Sequence, residues 1–170
     1  MEANIFKSTM RSGLILGVLF SVNFLLSVLI SSTLITNVLN FAMIAVIVVA
    51  TLRLSREYRD KELEGFISYG QSFLFIVLSF FYASLISAVV KIVYFQFINP
   101  DFLAEVYNEL MLQFEAAGLQ VTTEAEKFVS GLLTPVSRSI LSIIGNMICG
   151  AFVGLIMAAF VKKEKSIFEQ

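Results

Sequence analysis

The sequence predicts an all-α integral membrane protein: a four-helix bundle with an extracytoplasmic amphipathic helical insertion between spans 3 and 4. Two observations set the class and a third sets the insertion. Of 170 residues, 58% are hydrophobic and 15% charged, and mean hydropathy is +0.87; a soluble domain averages roughly 45–50% apolar and about 25% charged. The charges are also clustered, leaving long apolar runs between short charged connections. Against that background, "NPDFLAEVYNELMLQFEAAG" at residues 99–118 is acidic and amphipathic.

No charged residue lies between Arg11 and Arg53. A hydrocarbon core takes about 20 residues per helical span, so this run holds two spans, at about residues 12–32 and 36–54, with "SSTLITN" (31–37) as the turn. Lys7 and Arg11 ahead of an apolar run have the look of a secretory signal. The run to Ile30 exceeds the usual ~7–15-residue apolar core, and no A-x-A-like cleavage site follows, so a span is the better reading. In "RLSREYRDKELEG" (53–65), Arg53 with Glu57, Glu57 with Lys61 and Arg56 with Asp60 put opposite charges four apart, which predicts a charged helical turn continuing the second span to Gly65. The third span is expected at about 66–97 and the fourth at 137–161. With no fixed-period repeat, residues 1–170 read as a single membrane domain.

Orientation follows from Lys and Arg near the span ends. Lys7 and Arg11, then Arg53, Arg56, Arg59 and Lys61, then Lys162, Lys163 and Lys165 mark both termini and the 53–65 turn as cytoplasmic. The third connection carries Asp101, Glu105, Glu109, Glu115, Glu124 and Glu126 against Lys127 and Arg138, and is expected outside.

Within that outer connection, Asn99 suits an N-cap and Pro100 the first helical position, predicting a helix at about 99–117. Phe102, Leu103, Val106, Tyr107, Leu110, Met111 and Phe114 recur at helical spacing, opposite or beside the acids. A second short helix, at about 123–133, starts from Thr122 or Thr123 and ends before Pro135. Such a segment serves either as a lid resting its apolar side on the bundle or as a docking helix for a membrane or extracytoplasmic protein, presenting Glu105, Tyr107 and Glu109. Its acidity disfavours anionic lipid surfaces, which attract Lys and Arg.

Three stripes of small residues stand four apart. Ser79, Ala83, Ser87 and Lys91 form either a packing seam or the wall of a polar groove for a lipid head group; Lys91, roughly 39 Å along a helix begun near Gly65, is near or past the boundary of a ~30 Å core, where simple snorkelling is the alternative. Gly13, Gly17 and Ser21, and Gly150, Gly154 and Ala158, allow close backbone approach between helices. The contact is expected within the chain, with homo-oligomer formation as the alternative. Asn23, Asn40, Gln71 and Asn146 are expected to hydrogen-bond between helices, and Cys149 to act as a small buried or lipid-facing hydrophobe.

The chain has no His and one Cys, which removes histidine catalysis, a disulfide within the chain and a thiolate metal cluster. No G-x-S-x-G or phosphate loop occurs. No catalytic, cofactor or metal residue is therefore assigned, an enzyme is not expected, and a net charge of −1 argues against nucleic acid.

"REYRDKELEGFISYGQSF", a long span, "FINPDF", an acidic helix and a basic tail follow one another over nearly the whole chain. In this order the chain resembles the uncharacterised four-span membrane proteins of Bacteroidetes grouped as domain of unknown function 4199. The resemblance implies a location, the bacterial inner (cytoplasmic) membrane, and a topology, and no activity. It also implies a neighbourhood of polyprenyl-phosphate glycosyl transfer, which no residue here shows. The expected function is a non-enzymatic accessory or assembly subunit, with a translocation component for a lipid carrier or solute as the alternative.

Overall fold

The computed structural model describes residues 5–30, 32–119 and 121–164. Ser31 of the expected turn and Lys165 of the basic tail lie outside the described residues. The helices are α1 (Ile5–Leu29), α2 (Thr33–Glu62), α3 (Tyr69–Val93), α4 (Phe102–Ala116), α5 (Thr123–Leu132) and α6 (Pro135–Val161), with a π-helical turn, Tyr94–Ile98, after α3. Among the described residues there is no strand, only an isolated bridge between Ile67 and Lys163. Four helices are long and apolar enough to span a membrane: α1, α2, α6, and α3 with its π turn.

The chain forms two compact units, Met1–Ser87 with Ile144–Gln170, and Ala88–Ile143. In the first, α3 lies between α1 and α6. Glycine decides this placement, because a Cβ on Gly17 would stand 2.9 Å from the Ile86 Cβ and one on Gly150 would stand 2.7 Å from that of Phe80. At Gly13 a Cβ would collide with the Tyr82 Cβ and lie 3.1 Å from the Ser79 carbonyl. Without a hydrophobic drive between helices in lipid, such close approach supplies the dispersion contacts that hold them together. The core there comprises Leu16, Ile47, Phe75, Ile76, Phe80, Ala83 and Met157.

The buried hydroxyls follow from the same need for small side chains. Ser79 donates to the Phe75 carbonyl at 2.7 Å, Ser21 to Gly17 at 2.7 Å and Thr51 to Ile47 at 2.7 Å, each satisfied on its own helix one turn back. Between α1 and α2, Ser27 donates to Asn40 Oδ1 at 2.9 Å, an interhelical bond of the kind expected of the amides. Gln71 behaves differently. Its Oε1 accepts from Ser68 N–H (3.1 Å) while its own N–H donates to Ser68 Oγ (3.3 Å), a reciprocal capping box that starts α3. The amide is consumed locally rather than between helices.

The first connection is shorter than expected, with α2 resuming at Thr33, so residues 33–37 are helical. The charged turn remains helical to Glu62, and Glu64 and Gly65 take left-handed backbone (φ 57° and 87°), with Gly65 N–H returning to the Arg59 carbonyl at 2.9 Å. That reversal suits Gly65, which has no Cβ to clash.

In the second unit, Asn99 closes a helix instead of opening one. Its N–H donates to the Tyr94 carbonyl at 2.9 Å, five residues back, which is the π turn. With Asn99 so engaged, α4 starts at Phe102 and Asp101 takes the N-cap position, so the expected cap at Asn99 and first position at Pro100 move by two residues. Phe102 anchors the start, stacked on Phe95 (centroids 5.7 Å apart) and edge-on to Tyr94 (6.0 Å). Gly118, left-handed at φ 70°, ends α4. Thr122 caps α5 by accepting from Ala125 N–H at 3.3 Å, and Thr134 caps α6, with Pro135 at its first position, by accepting from Ser137 N–H at 3.3 Å.

Candidate functional site

Within the first unit, the starts of α1 and α3 and the ends of α2 and α6 are joined at one end by polar contacts. Ser8 of α1 donates to Glu62 of α2. Arg59 donates through Nη1 to the carbonyl of Val161 at 3.0 Å, so the last turn of α6 receives a cation on a carbonyl that helix geometry leaves without a partner. Just beyond, Ile67 and Lys163 exchange backbone hydrogen bonds of 2.8 and 3.0 Å, and Lys163 Nζ stands 5.6 Å from the centre of the Phe66 ring. Tyr69 donates to the Leu155 carbonyl at 2.9 Å, and Tyr58 stacks on Phe75 with centroids 4.4 Å apart. Lys7, Arg11, Arg53 to Lys61, Lys162 and Lys163 thus belong to this end, which carries most of the chain's positive charge.

The ion pairs differ in part from those expected. Lys61 takes Glu57 at 2.6 Å, as the spacing predicts, but Asp60 is held by the adjacent Arg59 at 2.7 Å rather than by Arg56. Arg59 faces α6 and can grip both groups with its fork, whereas Arg53 and Arg56 are exposed. A small cleft between α1 and α2, lined by Ser8, Arg11, Ser12, Glu57, Tyr58 and Lys61, opens here. An array of fixed cations and hydroxyls at a helix-bundle end suits anionic ligands and the membrane–water boundary.

The sites expected from sequence fall as follows. Gly13 and Gly17 meet α3, and so do Gly150 and Gly154; a Cβ on Gly154 would stand 3.2 Å from the Phe73 ring. Ser79 and Ser87 are buried. Ser79 and Ala83 lie against the Gly13 and Gly17 stripe, and the Ser79 hydroxyl is bonded within α3, which is the geometry of a packing seam. In the second unit Lys91 is partly buried and donates to Ser142 of α6. Counted from Tyr69 it stands ~33 Å along its helix, still past a ~30 Å core. Glu105 and Glu109 are exposed, while Tyr107 is half-buried with the apolar stripe and does not share their face. Cys149 is exposed on α6.

Sequence reasoning missed the Ser8–Glu62 and Arg59–Val161 contacts, which join residues 54 and 102 positions apart and leave no local signal. The Ser68–Gln71 box did have one, the S-x-x-Q pattern just before an apolar run.

Four long apolar helices, three of them joined through glycine seams and all gathered at a basic end, define a multi-pass helical membrane protein. The chain belongs to the family described as Protein of unknown function (DUF4199), whose match covers residues 11–163. No curated protein and no solved structure matches it.

Proposed function

We propose that the protein is a non-enzymatic accessory subunit of a bacterial inner membrane, with both termini inside, that docks a partner through the acidic side of α4. The orientation is supported by the basic residues gathered at one end, since Lys and Arg concentrate on the cytoplasmic side. One observation carries the docking reading. In α4 every residue of the expected apolar stripe is buried or half-buried, while Glu105, Asn108, Glu109 and Glu115 are exposed. The helix is therefore ordered by its apolar side, and its carboxylates stay available to a surface bearing lysines or arginines.

Zero-length carboxylate–amine crosslinking in intact membranes tests this. The expected product joins Glu105 or Glu109 to a lysine of a different protein and disappears in E105Q/E109Q. If crosslinks from these positions reach only residues of the same chain, or if the crosslink to a different protein survives the double substitution, α4 is a lid and the docking reading falls.

A further inference from the structure

Beyond docking, the structure points to a bound lipid: we infer that the α1/α2 groove holds an anionic glycerophospholipid, with an acyl chain in its apolar trough and the phosphate on Arg11 and Arg53. Along the outer side of these two helices runs a groove of about 540 Å³, lined by Ile15 of α1 and Ala45, Val46, Val49, Ala50 and Arg53 of α2. The two alanines make the trough. From Ala45 to Arg53 it extends about 12 Å along α2, and its walls are apolar until Arg53. There it continues into the polar cleft already described, because both spaces share Ile15, Leu54 and Glu57 and the cleft adds Arg11, Ser8 and Ser12.

Charge identifies the occupant. Arg11 and Arg53 are exposed at the junction of apolar and polar sections, where a phospholipid changes from chain to head group. Of the two carboxylates that line the cleft, Glu57 is held by Lys61 at 2.6 Å and Glu62 accepts from Ser8 and keeps its charge; Arg11, Arg53 and Lys61 against these two still leave the mouth positive. The mouth thus offers two guanidinium groups, the fork that matches phosphate oxygens. Coverage agrees, since α2 has the least buried apolar window of the four spans, 6%, so its side of the groove is open to lipid.

The test is native mass spectrometry of the full chain in detergent, titrated with phosphatidylglycerol or with phosphatidylcholine of the same acyl chains. Phosphatidylglycerol should bind more tightly. R11Q/R53Q should weaken it about 25-fold, near fivefold per arginine, and weaken phosphatidylcholine far less, because the choline ammonium offsets its phosphate charge. V49W fills the trough and should weaken both lipids, whereas I156W, on an exposed position of α6, should weaken neither. Equal affinity of the wild-type chain for the two lipids overturns the proposal without any variant. So does phosphatidylglycerol affinity undiminished by V49W, or a phosphatidylglycerol preference that survives R11Q/R53Q, in protein whose helicity is unchanged.

Discussion

Helices α2 and α3 show how little hydropathy says about position. Counting the π turn, each apolar helix runs 30 residues, and each passes for a membrane span, yet 44% of the apolar window of α3 is buried inside the protein against 6% for α2. The difference lies in side-chain size. Helix α3 buries Ser72, Ser79, Ala83, Ser84 and Ser87 and faces a glycine stripe on either side, from α1 and from α6. Helix α2 turns Leu34, Val38, Phe41, Ile44, Val46 and Val49 outward. In lipid a large apolar side chain gains nothing by moving inside, whereas a small one lets backbones meet. Hydropathy selects a span, and small residues select its neighbours.

The contrast breaks most easily at the seam. Gly13→Leu forces a side chain into Tyr82 and should cost about 3 kcal/mol, at the upper end of overpacking effects, measured by reversible unfolding in mixed micelles. A cost below about 1 kcal/mol would show that α1 and α3 are not locked there. Gly150→Ala, whose methyl would lie 2.7 Å from Phe80, should cost about 2 kcal/mol in the same assay, and clearly more than Gly154→Ala, where the Phe73 ring at 3.2 Å can turn aside. Arg59→Gln removes the cation from the Val161 carbonyl and should cost about 1 kcal/mol, with faster hydrogen exchange at the end of α6. Smallest of all, Leu34→Ala and Phe41→Leu on α2 should stay within about 0.5 kcal/mol. A loss there equal to that at Gly150 would erase the difference between the two helices.

Much of this was legible in the sequence. Charge-free runs are set by the thickness of a bilayer, so the four long helices follow from length alone. The sheltered side of α4 follows from its period, and the glycine stripes follow because nothing else allows such approach. Other features were not legible, for physical reasons. Asn99 is a good cap by type, but a backbone bond to Tyr94 five residues earlier claims its N–H, and no composition rule anticipates a π turn. Asp60 has Arg56 and Arg59 within reach in sequence, and the geometry of α6 decides for Arg59. Which span becomes central depends on two stripes finding the same partner, and neither stripe names it.

The bridge between Ile67 and Lys163 has a consequence for biogenesis. Residues 161–163 follow α1 to α3 in the chain, so those helices leave the ribosome with the Arg59 guanidinium and both polar backbone atoms of Ile67 lacking the partners that this stretch later provides. Arrival of that short stretch supplies those partners, so closure of this end couples the first half of the chain to residues far along it.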